Sequence, residues 1–332
     1  MKIITLDNNT RDGQLALLND KKTHYITIAE YPSFQSALDH WAKAKPLLQA
    51  YADALNNTTD TTSQSSQPNK PQAFDWSQCH APLPRAYQWI DGSAYVNHVE
   101  LVRKARGATM PESFWTDPLM YQGGSDTFLR PSAPIKADPS WGIDCEGEIG
   151  IITDDVPLGV TPEAAVKHIQ CVLLINDVSL RNLIPGELAK SFGFFQSKPS
   201  SAFAPIALTP DELGQYWDGQ KLHRPLTVTL NGEIIGTPDA GEDMIFSFAD
   251  LIAHAAKTRS LSAGTIIGSG TVSNKNTAKG VACLAEKRML EIIATGAAAT
   301  EFMQPGNTIQ LDVFDEQGES LFGSIKQNVQ SL

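Results

Sequence analysis

The chain has few cysteines and a shortage of positive charge, and each shortage excludes a class of protein. The cysteines are dispersed without the paired short spacing of a zinc site, at Cys79, Cys145, Cys171 and Cys283. They indicate reduced, mostly buried thiols in a cytosolic protein. Lysine and arginine number 26 against 37 acidic residues, a net charge of −11. Neither nucleic acid nor an anionic membrane is therefore expected as the main partner.

Long apolar segments and several well-known motifs are also missing. No apolar run approaches the roughly 20 residues of a membrane helix, and residues 1–7 are too short and too polar for a signal peptide. We therefore expect a cytoplasmic protein. Gly268-Ser269-Gly270 lacks the third glycine and the following helix of a dinucleotide fingerprint. Since no Gly-x-Ser-x-Gly elbow occurs, a serine hydrolase is unexpected.

The most informative stretch is acidic and covers residues 144–152. Asp144, Glu146 and Glu148 alternate with small or apolar residues, a period of two that predicts a strand with the acids on one face. Same-face neighbours lie roughly 6.5–7 Å apart along a strand, so two carboxylates can share one ion. Like charges in a row repel unless a cation lies between them, and Mg²⁺ or Ca²⁺ is the simplest candidate. A solvated strand edge without a ligand explains the pattern equally well.

The domain organisation follows from a polar stretch. Residues 56–72 contain only polar residues and prolines, which cannot build a core, so we predict a mobile linker there. This boundary separates a small β-rich N-terminal domain, residues 1–72, from a larger domain, residues 73–332. With 332 residues, 42% of them hydrophobic, the chain can build both.

Strands dominate the predicted elements. In the N-terminal domain we expect a helical stretch at residues 36–55, which Pro46 should split or kink. The predicted strands lie at residues 2–6, 14–18, 23–29, 144–152, 171–175, 226–230, 233–236, 264–272, 308–314 and 320–327. The other predicted helices begin at Ser93 and Thr161 or cover residues 248–257. This order favours an α+β fold with a mixed sheet curled on itself.

Three polar residues stand at positions where a local role and a functional role are both open. Asp91 precedes the helix that begins at Ser93 and could be a turn or capping residue. His98 lies on the apolar side of that helix, where a histidine is more often a core residue than a catalyst. Asp177 follows a buried strand, a place typical of functional side chains but also of turn-forming aspartates.

Taken together, these segments resemble the fumarylacetoacetate hydrolase family. The resemblance covers roughly residues 80–330 in the family's order, and the N-terminal part resembles the small β domain of that family's fumarylacetoacetases. The segments that carry it are Asp91 with His98, Glu146-Gly147-Glu148, and residues 175–181, 190–193 and 270–273.

The resemblance implies a set of site residues. One Mg²⁺ or Ca²⁺ would be held by Asp91, Glu146, Glu148 and Asp177. His98 would be the general base, oriented by Glu286, with Arg181 and Lys190 binding and stabilising the substrate's oxygens. The remaining implied substrate contacts are Tyr95, Arg106, Tyr121 and Thr271. This chain departs from the family at Ile184 and Phe194, where a glutamine and a threonine are expected, and Gln196 or Lys198 could substitute.

The implied activity is hydrolysis of a carbon–carbon bond in a β-diketo acid by a homodimer. The first candidate substrate is fumarylacetoacetate, cleaved to fumarate and acetoacetate in tyrosine breakdown. Within the family, hydrolysis of acylpyruvates, decarboxylation of oxaloacetate and hydration of a 2-hydroxydienoate are alternatives. A metal-stabilised binding protein without chemistry is the alternative of another class, but it gives no reason for His98 and Glu286 to accompany the ligands.

Overall fold

The computed structural model describes residues 1–57, 70–105 and 109–332, and only the backbone of residues 102, 103 and 105. Most of the stretch predicted as a linker, and Arg106, lie outside the described residues. None of the helices within the described ranges is long and apolar enough to cross a membrane.

The described chain forms eighteen strands and seven α-helices. The strands are β1 Lys2–Leu6, β2 Gln14–Leu18, β3 His24–Thr27, β4 Gln72–Ala73, β5 Trp89–Gly92, β6 Met120–Gly123, β7 Ile135–Lys136, β8 Ile143–Asp144, β9 Gly147–Thr153, β10 Ile169–Asn176, β11 Ser179–Leu180, β12 Ala202–Phe203, β13 Ile206–Leu208, β14 Leu226–Leu230, β15 Glu233–Gly236, β16 Ile266–Gly268, β17 Thr308–Val313 and β18 Ile325–Gln330. The helices are α1 Phe34–Leu38, α2 Trp41–Asn57, α3 Val96–Ala105, α4 Pro162–Ala165, α5 Ile184–Leu188, α6 Phe248–Ala255 and α7 Leu284–Thr295.

Two larger sheets account for most of these strands. The main sheet has eleven strands in the order β4-β3-β2-β1-β13-β10-β9-β16-β5-β6, with β12 also paired to β10. Its pairs are antiparallel except β16 with β5. A five-stranded sheet runs β15-β14-β17-β18-β7, in which β18 and β7 are parallel. Mixed sheets accompanied by a few short helices confirm the predicted α+β class.

The N-terminal strands extend the main sheet. β1 pairs with β2 on one side and with β13 on the other, with Ile4 opposite Ile206. Because successive side chains of a strand point to opposite faces, Ile3 and Ile4 pack into two different hydrophobic clusters, one on each side of the sheet. The N-terminal segment thus shares its backbone hydrogen bonding with the rest of the chain.

Pro46 does not split the N-terminal helical stretch, so that part of the expectation was wrong. The break falls earlier, after α1, whose C-cap is Asp39. Ser33 and Ser36 form a capping box that starts α1 as a separate short helix. Pro46 lies within α2, where its missing amide costs a single backbone hydrogen bond near the start of a long helix.

The predicted hairpin at Asn231-Gly232 is confirmed, and the predicted acidic strand is only partly present. Asn231 and Gly232 both have positive φ, 51° and 86°, as a tight hairpin between β14 and β15 requires. The acidic stretch, by contrast, divides into β8 and β9, and Cys145 and Glu146 belong to neither strand. The three acids therefore do not share one continuous face.

Candidate active site

Four carboxylates from different parts of the chain converge in the main sheet. Asp91 lies on β5, Glu148 on β9, Glu146 just before β9, and Asp177 just after β10. One carboxylate oxygen from each of the four lies within 4.8 Å of those of the others, and all four side chains are buried. The sheet brings them together because β9 lies between β10 and β16, and β16 lies beside β5. The structure thus gathers all four residues that the resemblance implied as metal ligands.

Two of these carboxylates have several partners. Lys198 donates from Nζ to Glu146 Oε2 and to Asp177 Oδ2, each at 2.6 Å. Asp177 also accepts from the hydroxyls of Tyr121 and Ser201, each at 2.6 Å. Arg181 forms an ion pair with Glu146 at 2.7 Å. Glu146 and Asp177 are therefore each paired with a cationic side chain.

Asp91 and Glu148 are poorly compensated by comparison. Asp91 accepts one backbone hydrogen bond, from the amide of Gly270 at 3.0 Å. Both oxygens of Glu148 are buried, and within the described part of the chain no N–H or O–H group of another residue type donates to them; the adjacent Asp91 carboxyl can pair with Glu148 only when one of the two acids carries a proton. Buried polar groups are almost always partnered, so an orphaned carboxylate in a polar cluster indicates a missing partner.

The pKa values follow this difference. Burial, reinforced by the charge of Asp177, raises the pKa of Asp91 to about 8. Burial and the neighbouring carboxylates also raise the pKa of Glu148 well above its usual range. Burial would raise the pKa of Glu146 as well, but Lys198, Arg181 and His98 together lower it far below its usual range. The positive charge of the site is concentrated on one side of the cluster.

The cluster fits a divalent cation with oxygen ligands. When all are ionised, the four carboxylates and Asp144 face two cationic side chains within the described part of the chain, an excess of three negative charges that a divalent ion would reduce to one. Carboxylate oxygens are the ligands that hard cations prefer. Gly268 leaves space for an ion beside these carboxylates, because a Cβ there would lie 2.6 Å from Asp91 Oδ1 and 3.0 Å from Glu148 Oε2. The unpartnered oxygens of Glu148 would then find their partner in the ion.

Asp144 does not join the cluster that the alternating pattern predicted for it. Its carboxylate accepts from Arg181 Nε at 2.8 Å and from the backbone amides of Leu284 and Ala285 at 2.8 and 2.9 Å. Those amides begin α7, where an anion is favoured by unsatisfied N–H groups and the helix dipole. Asp144 therefore fixes the start of α7 and the guanidinium of Arg181. Strand β8 ends at Asp144, so the alternation of side chains does not continue from Asp144 to Glu146.

A histidine–glutamate pair spans α3 and α7. His98 Nδ1 and Glu286 Oε2 are 2.8 Å apart, and the His98 side chain retains 18% of its exposure while Glu286 is buried. Glu286 Oε1 accepts from Ser273 Oγ at 2.9 Å, and Ser273 in turn accepts from Asn97 Nδ2 at 2.8 Å. Glu286 is therefore held on both oxygens, and it can fix both the orientation and the tautomer of His98.

The lysine at the cluster is Lys198, and the structure does not bring Lys190 there. Lys190 is exposed, in the turn that follows α5. Lys198 is buried, and burial would lower its pKa, but Asp177 and Glu146 raise it above the usual range, so its ammonium stays charged. The sequence assignment followed the letters Lys-Ser-Phe at residues 190–192. The feature that distinguishes Lys198 is its position four residues before β12. Strand β12 pairs with the last residues of β10, directly before Asp177.

The expected substrate-contact residues divide into two groups. Tyr121 reaches the cluster, and Thr271 is buried next to Gly270, whose amide binds Asp91. Tyr95 is a core residue, only 2% exposed, whose hydroxyl donates to the carbonyl of Ala240 at 2.6 Å.

The two positions that depart from the family pattern have different surroundings. Phe194 packs edge-to-face on Tyr121, with 5.5 Å between the ring centroids. Ile184 is the first residue of α5. Neither side chain can donate the hydrogen bond of the residue that the family pattern expects.

Two family models match the sequence. The family model for the fumarylacetoacetate (FAA) hydrolase C-terminal region matches residues 88–330, and that for fumarylacetoacetase N-terminal domain 2 matches residues 1–85. Oxaloacetate tautomerase YisK of Bacillus subtilis (strain 168) is 26% identical over 197 residues, which are 58% of this chain and 62% of that protein. The chain therefore spans about three fifths of the length of that relative.

Two solved structures share the fold over the whole chain. A protein described as HpcE from Mycobacterium smegmatis has a TM-score of 0.68 at 18% identity, covering 100% of this chain and 99% of its own. Maleylpyruvate hydrolase from Sphingobium sp. SYK-6, solved with manganese(II) and pyruvate, has a TM-score of 0.63 at 13% identity, with the same coverage. Since the family models account for nearly the whole sequence, the chain belongs to the fumarylacetoacetate hydrolase family.

Proposed function

We propose that this protein is a divalent-metal-dependent hydrolase that cleaves a carbon–carbon bond in a β-diketo acid. Fumarylacetoacetate, cleaved to fumarate and acetoacetate, is the first candidate substrate, which would place the protein in tyrosine breakdown. The observation that carries the proposal is the pairing of His98 with Glu286 near a buried carboxylate cluster that fits a cation. A protein that only binds a ligand has no use for an oriented base.

Asp91, Glu146, Glu148 and Asp177 would hold the ion, with Mg²⁺ or Ca²⁺ as the physiological candidates. The manganese of the maleylpyruvate hydrolase structure belongs to that protein, and it is an ion of the same oxygen-seeking kind. When bound, the cation supplies Lewis-acid polarisation of the substrate's keto oxygens.

His98 would act as general base toward water. With Nδ1–H donating to Glu286, the Nε2 atom is free to accept a proton, and the Glu286 carboxylate stabilises the resulting imidazolium. The hydroxide adds to a substrate carbonyl carbon and forms the new C–O bond. The neighbouring C–C bond then breaks, its electron pair passes to the leaving fragment as an enolate, and that fragment takes up a proton from His98.

Lys198 is the cation that we assign to the negative charge that develops on the substrate. It remains protonated, and its ammonium contacts two of the four clustered carboxylates. Arg181 has a different role in this proposal, because its Nε and Nη2 atoms already contact Asp144 and Glu146. It would hold Glu146 in place and offset its charge. Tyr121 would line the same pocket and orient Asp177.

Keto–enol tautomerisation of oxaloacetate is the second candidate function. It is favoured by the similarity to oxaloacetate tautomerase YisK. It would also use His98 for proton transfer, but between the enol oxygen and the carbon of the substrate and without water addition, and it breaks no carbon–carbon bond, so the products separate the two functions.

Two further expectations stay predictions. The homodimer follows from the family resemblance. The cytoplasmic location is supported by four buried cysteines, all of them free thiols.

The substrate is tested by direct turnover. Purified protein with Mg²⁺ should convert fumarylacetoacetate to equimolar fumarate and acetoacetate, followed by chromatography, and exhaustive chelation should stop the reaction because the cluster then lacks its cation. Oxaloacetate, assayed for enol–keto exchange, is the comparison substrate. Turnover that survives chelation contradicts the proposed site, and exchange of oxaloacetate without any cleavage of diketo acids selects the second candidate.

His98 and Glu286 should behave as one catalytic unit. His98→Gln and Glu286→Gln are each expected to lower kcat by about 10²–10⁴, the usual contribution of a general base. The kcat of the double variant should lie within about threefold of that of the slower single variant. Loss of either residue already removes the contribution of the other when the two act as a unit. Steady-state kinetics give these factors, and calorimetric Mg²⁺ titration of each variant checks that the ion still binds. Multiplicative losses would refute the pairing.

The two lysines provide a matched pair. Lys198→Met should lower kcat by about 10²–10³ at saturating metal, because a positioned charge near the developing oxyanion is lost. Lys190→Met removes the same charge from an exposed turn and should leave kcat within about twofold. The opposite ranking would restore Lys190 to the site and remove Lys198 from it.

A further inference from the structure

One carboxylate holds the chain immediately before Lys198. Glu187, on α5, accepts from three successive backbone amides: Phe195 at 3.2 Å, Gln196 at 2.6 Å and Ser197 at 3.2 Å. The hydroxyl of Ser197 donates to the same carboxylate. Burial would raise the pKa of Glu187, but these hydrogen bonds lower it. Consecutive N–H groups that converge on one anion form a strong, charge-assisted arrangement.

Residues 195–197, whose amides donate to Glu187, are also hydrogen-bonded to the chain beside Arg181. The carbonyl of Ser197 accepts from the amide of Leu180 at 2.8 Å, next to Arg181, and Ser197 is fully buried. The amide of Lys198 donates to the carbonyl of Phe195 at 3.3 Å, which closes a turn. The direction in which Lys198 leaves this turn therefore depends on where residues 195–197 are held.

Packing alone does not hold residues 190–196, which lead into this turn. Phe192 and Phe195 are 82% and 85% exposed, and Lys190 and Ser191 are exposed as well. Phe194 is the aromatic residue of the segment that turns inward, onto Tyr121. An exposed segment with so little buried apolar surface should open locally at small cost unless specific hydrogen bonds restrain it.

We propose that Glu187 is a positioning residue that keeps the Lys198 ammonium at the carboxylate cluster by fixing the amides of residues 195–197. The hydrogen bonds of Glu187 go to residues 195–197 and not to the carboxylates, so it acts through the turn. Its kinetic effect rests on the proposed function of Lys198, whereas its effect on the backbone does not.

Glu187→Gln is the informative variant, because the amide keeps the size of the side chain but places an NH₂ group against amide donors. Glu163→Gln is the matched control: Glu163 is also an acid in the first turn of a short helix, and it is exposed. Both variants are compared with the unchanged full-length protein in saturating Mg²⁺, after their thermal unfolding midpoints have been measured.

Hydrogen exchange gives the first readout. In Glu187→Gln, the amides of residues 195–197 should exchange at least about tenfold faster, the effect of losing a charge-assisted hydrogen bond, while other peptides and Glu163→Gln stay unchanged. Lys198 should also react faster with an amine-acylating reagent, as mapped by mass spectrometry. Unchanged exchange and unchanged labelling overturn the proposal, whether or not a substrate has been found.

Kinetics give the second readout. Glu187→Gln should lower kcat by about tenfold or more with KM within about threefold, a loss confined to the transition state. Added to Lys198→Met, it should cost less than about twofold more, because it acts through a lysine that is already absent. A full multiplicative loss in the double variant would overturn the proposal, since Glu187 would then act independently of Lys198.

Discussion

The whole site depends on one electrostatic constraint: four carboxylates are buried together with too few cations to neutralise them. Desolvation makes each ionised acid expensive, and their mutual repulsion adds to the cost. Lys198 and Arg181 offset the charges of Glu146 and Asp177, but among the described residues Asp91 and Glu148 receive a hydrogen bond only from the amide of Gly270. Such a cluster is stable in its ionised form only with an additional cation, so binding of a cation there would be coupled to folding.

The surrounding fold serves this cluster through residues that do not belong to it. Asp144 joins β8, Arg181 and the first amides of α7, so the guanidinium that steadies Glu146 and the helix that carries Glu286 share one anchor. Glu286 is also tied to Ser273, five residues beyond β16. His98 and the carboxylates therefore lie in one hydrogen-bonded framework, in which a shift of α7 would disturb both.

Local patterns predicted the elements and much of the cluster, whereas residues placed by distant pairing were at best named as alternatives, as Lys198 was. Glu148 followed from alternation and Asp177 from its position after a buried strand, because both depend on neighbours in sequence. Lys198 depends on the pairing of β12 with β10 and on the grip of Glu187, and no local periodicity reports either contact. Asp144 fits the same alternation as Glu148, but its partner is the start of a helix 140 residues away. Tyr95 lies between Asp91 and His98 in the chain, where the family pattern expects a substrate contact, but its side chain is buried in the core.

The most direct test of the central claim is the free energy of unfolding of Glu148→Gln with and without a divalent cation. In chelator, the variant should be more stable than the unchanged protein by about 1–3 kcal/mol, because an uncompensated buried carboxyl is replaced by a neutral group that can donate to Asp91. In saturating Mn²⁺, the order should reverse, since the variant loses a ligand and with it the stabilisation by binding. Equal stability of the two proteins under both conditions would contradict the account.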